Sequence, residues 1–298
     1  MADTAVADAE SGLSPAQLAA RYGLSVAGER PTVPVYIRQL WSYRHFISAY
    51  ANAKLVASFS TARLGRLWQV LTPLTNAAVY YLVFGVVLNT QDDVSNFIGY
   101  LCVGLFVFDF TQAVVQGGVQ SISGNLGLIR ALHFPRACLP IAVTMTQFQR
   151  LIASMVVLFG IVLITGEPIT LEWFLVVPAL LLQSIFNAGL ALAMARLGSK
   201  VTDLKQLVPF VTRTWMYGSG VLYSVTKFAE NLPPALTTLV LANPLLVYIE
   251  LVRHALMEGV VLAMPPTQLW LMAIGWALVV GVGGFVYFWH GEREYGRG

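Results

Sequence analysis

Long apolar runs dominate the chain and determine its predicted architecture. Six of them reach the roughly 20 residues that a helix needs to cross about 30 Å of hydrocarbon. They are Leu67–Asn89, Phe97–Ile122, Ala137–Thr165, Leu171–Leu197, Leu207–Val225 and Leu269–Trp289. Because hydrocarbon offers no hydrogen-bond partner to an open backbone, each run must be helical. The pattern therefore predicts an all-α polytopic membrane protein with six transmembrane helices.

The segment before the first run has a different pattern. Between residues 35 and 66 apolar side chains recur at helical spacing, among them Ile37, Trp41 and Ile47, and polar side chains such as Arg38 and His45 face away. This spacing predicts an amphipathic helix. Such a helix either lies flat at the membrane interface or packs on a soluble partner.

A seventh apolar stretch is too short to cross a bilayer on its own. Leu236–Leu251 lies between the fifth and sixth runs and contains Asn243, Pro244 and Glu250. Polar groups and a proline inside a short apolar segment are typical of chain that does not face lipid along its whole length. We therefore predict a re-entrant or interfacial segment here.

These patterns divide the chain into four parts. Residues 1–34 form a polar cytosolic segment to which the sequence assigns no role, and residues 35–66 form the interface helix. Residues 67–290 form the transmembrane domain, and residues 291–298 form a cytosolic tail. The charged residues from His290 to Glu294 are expected to be solvated.

Composition and charge support a membrane location. Hydrophobic residues make up 57% of the chain and charged residues 11%, against about 25% charged in soluble domains. The net charge of +3 is too small to indicate a nucleic-acid partner. Most lysines and arginines flank one side of the predicted spans, whereas Lys227 and Arg253 lie on the other with Glu250 and other acids. The positive-inside rule then predicts a multi-pass protein with both termini in the cytosol.

Signals for catalysis and for metal binding are missing from the sequence. It has no GxxxxGK[ST], HExxH or GxSxG motif, so we expect no nucleotide, metal or nucleophilic site on this chain. Cys102 and Cys138 lie apart within apolar surroundings, which predicts neither a disulfide nor a metal ligand set.

Three ionisable residues inside the predicted spans are the stronger candidates for function. Asp109, Arg150 and Arg213 are costly in lipid, and such residues usually face a bundle interior or a polar path. Asp109 and Arg213 are predicted at a similar depth and are able to pair. The three groups either line a polar conduit or form structural ion pairs.

Aromatic side chains lie at the same predicted levels as these ionisable groups. Rings at this depth either stack on sugars along a path or anchor helices at the membrane interface. The rings are those of Phe106, Phe108, Phe110, Trp215 and Tyr217.

Several short motifs occur in an order typical of one transporter family. Leu64–Trp68 reads LGRLW and is followed by the LTPL of Leu71–Leu74, and further landmarks lie at Phe134–Arg136, Thr202–Phe210 and Asn243–Pro244. From Val35 to Trp289 the chain resembles the permease subunit of type-2 ABC exporters, in the branch that exports O-antigen, teichoic acid and galactan-like glycans. At Thr202 this branch usually has an arginine.

The resemblance implies a function and a set of partners. Two copies of the chain and two copies of a separate ABC ATPase, which binds ATP and Mg, would export a lipid-linked polysaccharide from the cytosolic side across the plasma (inner) membrane. Short gate helices would lie between spans five and six. An exporter of a drug or another lipid is the alternative, and a membrane glycosyl- or acyltransferase is a weaker one.

The resemblance also implies roles for particular residues. The coupling segment between spans two and three, alternatively an ordinary loop, would bind the ATPase, because its apolar content is high for an exposed loop. Its candidates are Asn125, Leu128, Ile129, Arg130, His133, Phe134 and Arg136. Basic residues before the first span suit a lipid pyrophosphate. They are Arg38, Arg44, Arg63 and Arg66.

Overall fold

Every regular element in the described part of the chain is helical. The computed structural model describes residue 17 and residues 31–60, 67–87, 96–226, 233–292 and 294–295. Arg63, Arg66 and nearly all of residues 1–30 therefore lie outside the described residues.

The elements follow one another as short helices and long apolar helices. The first half contains α1 (Val33–Ser42), α2 (Arg44–Ser60), α3 (Trp68–Tyr80, continued as a π-helix over Tyr81–Val87), α4 (Phe97–Gln120), α5 (Leu126–Ala131) and α6 (Cys138–Ile164). The second half contains α7 (Val176–Lys200), α8 (Leu204–Tyr217), α9 (Pro234–Leu241), α10 (Pro244–Leu256) and α11 (Pro266–His290). Short 3-10 turns over Ser123–Asn125 and Leu171–Leu175 precede α5 and α7.

Four helices of the described residues are long and apolar enough to cross a membrane. They are α4, α6, α7 with its 3-10 turn, and α11. The consecutive helices α9 and α10 also pass this test together but are bent by 65°, so the count is four, or five if the bent pair is one span. This bend agrees with the prediction that residues 236–251 do not form a straight span.

The predicted first and fifth spans correspond to shorter helices. The apolar part of α3 runs over Leu74–Val87. The run predicted to continue to Val225 leaves the helix at Tyr217, because the following carbonyl groups bind the side chains of Asn243 and Arg253 and Gly220 adopts a φ of 63°. The prediction that the fifth run is one long helix was therefore wrong.

The central helix of the bundle is α4. Most of its residues are buried, and it packs against α6, α7, α8 and α10. Phe106, Phe108 and Phe110 belong to this core, which removes them from any accessible surface of the chain. Their burial does not fit the predicted role in a transport path. The sequence could not show this burial, because an apolar run alone does not distinguish a core face from a path-lining face.

The N-terminal segment forms two helices rather than one. The chain breaks at Tyr43 between α1 and α2, so the two apolar stripes do not continue into each other. Tyr36 and Ile47 are buried, whereas Ile37 and Trp41 are 52% and 69% exposed. Ile37 and Trp41, predicted on the same stripe as Ile47, thus lie on a separate exposed apolar face.

Two glycines allow α7 and α11 to touch through their backbones. A Cβ atom at Gly284 would lie 2.0 Å from the Gly189 carbonyl oxygen, and one at Gly189 would lie 2.1 Å from the Val280 carbonyl oxygen. Close approach of this kind is typical of helix pairs in membranes.

We predict that Gly284→Ala separates α7 from α11 and lowers the unfolding temperature of the purified protein in detergent. Overpacking of this kind typically costs about 1–3 kcal/mol. Gly283→Ala is the matched control, because nothing lies within 4 Å of the Cβ position there and alanine favours a helix more than glycine does. Equal unfolding temperatures for the two variants would contradict the close contact.

Candidate functional site

The α5 segment, predicted to couple to a partner, is held by two tyrosines of the N-terminal region. The Tyr50 hydroxyl donates to Asn125 Oδ1 at 2.6 Å, and the Tyr43 hydroxyl donates to the His133 carbonyl oxygen at 3.1 Å. These bonds lie at the two ends of α5. The position of the segment is therefore set by the N-terminal helices.

Much of the apolar surface of this segment is used within the chain. The Ile129 side chain is buried, and the Phe134 ring packs on Phe46 with ring centroids 5.1 Å apart. Leu132 is 50% exposed, and Arg130 and His133 are exposed beside it. The surface offered to a partner is thus smaller and more polar than the sequence indicated.

A carboxylate of the tail joins three distant parts of the chain. Glu292 Oε2 accepts from the Tyr36 hydroxyl at 2.8 Å, and Glu292 Oε1 accepts from the Arg136 backbone N–H at 3.0 Å. The Arg136 guanidinium donates to the Glu292 carbonyl oxygen, and the Ala137 N–H donates to the Tyr36 hydroxyl oxygen. The expectation that this tail is wholly solvated was wrong, because Glu292 is buried among these partners.

Burial also affects the acidity of this junction. The pKa of Glu292 is raised, chiefly because burial penalises the carboxylate, although hydrogen bonds from Arg136 and Tyr36 oppose the shift. The pKa of Tyr36 is also raised, first by burial and then by the nearby Glu292 charge. By contrast Glu294 is exposed, and its bond to Lys200 lowers its pKa.

The predicted path residues only partly come together. Asp109 of α4 and Arg213 of α8 both lie within electrostatic range of Tyr80 of α3, as does Tyr217. Within the described residues no ion pair joins Asp109 to Arg213, so the predicted direct pairing is absent. Arg150 of α6 is half-buried.

Polar side chains connect α4 to its neighbours at the level of Asp109. Gln112 Nε2 donates to Thr212 Oγ1 of α8 at 3.2 Å, and Gln183 Nε2 of α7 donates to Thr111 Oγ1 at 3.0 Å. Arg213 is exposed on the neighbouring position of α8. These residues form the polar strip of α3, α4 and α8, which comprises Tyr80, Asp109, Gln112, Thr212, Arg213 and Tyr217.

The sequence patterns did not identify the most deeply buried charged side chain of the described residues, that of Arg253. Arg253 and Glu250 were counted among the charges on one side of the membrane, and their side chains are 0% and 2% exposed. Arg253 Nη1 lies 3.1 Å from Glu250 Oε1, and its guanidinium carbon lies 3.3 Å from the centroid of the Tyr100 ring. Their spacing of three residues on an apolar helix was a signal that the two face the same side.

The Arg253 guanidinium also binds three backbone carbonyl oxygens. It donates to Gly220 at 2.9 Å, to Val221 at 3.1 Å and to Tyr100 at 3.2 Å. The second oxygen of its partner Glu250 accepts from the Ala263 N–H at 3.1 Å. One ion pair thus joins α4, the connector after α8, α10 and the connector before α11.

A single amide is bound at the bend between α9 and α10. Asn243 Oδ1 accepts from the Leu245 N–H at 3.0 Å and from Trp215 Nε1 at 3.0 Å. Asn243 Nδ2 donates to the Gly218 carbonyl oxygen at 2.8 Å and to Ser219 Oγ at 3.1 Å. Trp215, a predicted path residue, therefore contacts the bend directly.

Taken together, the long apolar helices, the buried ion pair and the bent helix pair define a polytopic helical membrane protein without a nucleotide-binding motif. A model of the ABC-2 type transporter family matches residues 46–257. The chain belongs to this family.

Several relatives of the chain are named for export or transport. It is 26% identical over 195 residues to the O-antigen export system permease protein RfbA of Myxococcus xanthus, covering 65% of this chain and 74% of the relative. It is 24% identical over 210 residues to a protein of the same name in Klebsiella pneumoniae, covering 70% and 79%. It is 26% identical over 203 residues to the polysialic acid transport protein KpsM of Escherichia coli, covering 67% and 77%.

We predict that Arg253→Gln strongly destabilises the protein, because it leaves the Glu250 carboxylate buried without its cation. Removing one partner of a buried pair typically costs about 3–5 kcal/mol. The double variant Glu250→Gln/Arg253→Gln should recover part of the loss in thermal unfolding. Lys200→Gln, which breaks an exposed pair with Glu294, is the control and should change little.

Glu292 also predicts a pH dependence of stability. Because its pKa is raised in the folded state, the native protein binds this proton more tightly than the unfolded chain does. Stability should therefore fall as the pH rises from the ordinary carboxyl value of 4.5 through the raised pKa. The measurement is the unfolding temperature of the protein relative to Glu292→Gln, which does not titrate, between pH 4.5 and neutral pH.

The control for this pH profile is Glu294→Gln. This variant removes the exposed tail carboxylate and leaves the buried one in place, so it should keep the wild-type fall in stability with rising pH. A profile in which Glu292→Gln and the unmodified protein run parallel would refute the assignment.

Proposed function

We propose that this chain is the membrane subunit of an ATP-driven exporter of a lipid-linked polysaccharide. The observation that carries the proposal is the family match over residues 46–257, together with relatives named for O-antigen export and polysialic acid transport. The cargo would be a cell-wall glycan, an O-antigen, a teichoic acid or a galactan-type polymer. It would move from the cytosolic side across the plasma (inner) membrane.

The proposed energy source is a separate ABC ATPase that binds ATP and Mg, in two copies per transporter. The sequence has no P-loop of its own, which supports hydrolysis on another chain. The exposed side chains beside α5, including Leu132 and His133, are the proposed contact. Because Tyr43 and Tyr50 bind both ends of this segment, a push on α5 would also move the N-terminal helices.

The proposed working unit contains a second copy of the chain. Val79 and Val86 of α3 and Leu207 and Phe210 of α8 are large exposed apolar side chains. An exposed apolar face of this kind fits another protein surface or lipid. A path between two copies would then be lined by the polar strip of α3, α4 and α8 that includes Asp109.

The proposed topology has six spans with both termini in the cytosol. In it α3 and α8 act as the first and fifth crossings, although they are shorter than the other four. The bent pair α9–α10 would act as gate helices on the outer side. Because Arg253 is buried, it does not count among the charges that lie free on the outer side. Lys227 then remains as the cation that the sequence places there, which supports this orientation.

The N-terminal helix is the proposed access site for the lipid pyrophosphate. Arg38 and Arg44 are exposed, and the Arg44 guanidinium carbon lies 5.5 Å from the centroid of the Trp41 ring. An exposed face with aromatic and basic side chains suits the level of lipid head groups. Cations here are suited to phosphate oxygens.

The leading alternative is an exporter of a drug or another lipid in the same family. Depletion of the chain in its own cells distinguishes the two. The glycan proposal expects loss of surface polysaccharide and accumulation of lipid-linked polymer on the cytosolic face. Unchanged surface glycan in depleted cells would refute it and favour the alternative.

We predict that Leu132→Asp disrupts the contact with the ATPase, because it places a charge in an apolar contact. The measurement is the amount of ATPase that co-purifies with the chain, which should fall while membrane insertion is retained. Ile169→Asp is the matched control, because Ile169 is an equally apolar, exposed residue on the side assigned to the exterior. Equal co-purification of ATPase with the two variants would exclude this surface.

A further inference from the structure

The four residues that follow α8 all bind one of two side chains, that of Asn243 at the bend or that of Arg253 in α10. Gly218 and Ser219 bind Asn243, and Gly220 and Val221 bind Arg253. These residues occupy the place where the predicted fifth span stops being helical. The carbonyl groups of Gly218, Gly220 and Val221, which a longer helix would have used, are therefore satisfied by these two side chains.

Asn243 does more here than cap a helix. A cap needs one side-chain acceptor for one backbone N–H, and Asn243 provides it for Leu245. The amide has one further acceptor position and two donor hydrogens, and all three bind the end of α8, at Trp215, Gly218 and Ser219. Capping of α10 does not require these bonds, so they need a separate explanation.

The other half of the bent pair is attached to the central helix. Arg253 binds the Tyr100 carbonyl oxygen and lies over the Tyr100 ring. A Cβ atom at Gly104 would lie 2.8 Å from Arg253 Nη2, so α4 has a glycine where the guanidinium needs space. Beside the bend, Trp276 Nε1 of α11 donates to the Ala242 carbonyl oxygen at 3.0 Å.

We propose that the end of α8, its connector and the bent pair α9–α10 move as one rigid body, and that Asn243 is the positioning residue that joins them. A displacement of α8 at Arg213, Trp215 or Tyr217 would then also displace the bend, because no flexible joint lies between them. The reading of α8 as a path helix and of the bent pair as a gate rests on the proposed function. The existence of the rigid body does not.

The test uses hydrogen–deuterium exchange of the full chain in lipid nanodiscs, alone and with its ATPase. Asn243→Ser keeps a hydroxyl that caps α10 but removes the bonds to Trp215, Gly218 and Ser219. Loss of a hydrogen bond typically changes a local opening equilibrium about 2- to 12-fold. We expect exchange to rise by that factor in residues 214–222 and to stay unchanged in residues 244–250.

Asn96→Ser is the matched control. Asn96 also caps a helix, through the Gly99 N–H, and its amide donates to Thr165 and Glu167. This variant should raise exchange around residues 165–167 and not in residues 214–222. Unchanged exchange of residues 214–222 in Asn243→Ser would overturn the rigid body, whatever the transported cargo is.

A second readout tests the positioning role. For Asn243→Ser we expect export per ATP hydrolysed to fall at least about threefold, within the range by which coupling networks respond to substitution, while ATP hydrolysis and membrane insertion are retained. Faster exchange with unchanged export would overturn the role of Asn243 in transport. A chain that exports no glycan even when unmodified would refute the proposed function and leave the exchange result standing.

Discussion

The buried guanidinium of Arg253 is the interaction on which the shape of the bent pair depends. A cation without exposed surface requires compensation for lost hydration, and here one carboxylate, three carbonyl oxygens and an aromatic ring supply it. These partners come from α4, from the connector after α8 and from α10 itself. The same contacts that stabilise the charge therefore fix where α8 ends and how the bent pair lies against the bundle.

A second polar junction has a similar role at the other end of the bundle. Glu292 connects the start of α1, the segment before α6 and the end of α11 through Tyr36 and Arg136. Next to it α5 is bound by Tyr43 and Tyr50. Between the two junctions the bundle is held mainly by apolar packing and by direct backbone contact at glycines. Force applied at α5 would thus enter a bundle whose two ends are each tied by a buried carboxylate.

Sequence patterns predicted what depends on local spacing. The limits of α4, α6 and α11 follow from apolar runs, and the bend follows from Asn243-Pro244 in a short segment. The early end of α8 was not predictable, because its carbonyl groups bind side chains about 25 to 33 residues further along. The burial of Glu292 depends on Tyr36, 256 residues away. Apolar runs also did not distinguish aromatic side chains of the core, such as Phe106, from aromatic side chains that line a path.

The central claim, that α8 and the bent pair move together, is tested most directly by a distance. Nitroxides would be placed at Phe210 and Leu239, whose side chains are 75% and 69% exposed, in one copy of the chain within the proposed transporter, with Cys102 and Cys138 replaced. Pulsed electron paramagnetic resonance would compare the nucleotide-free and ATP-trapped states, with hydrolysis confirmed in the same sample. The account predicts one unchanged distance distribution, and a shift of its maximum between the two states would contradict it.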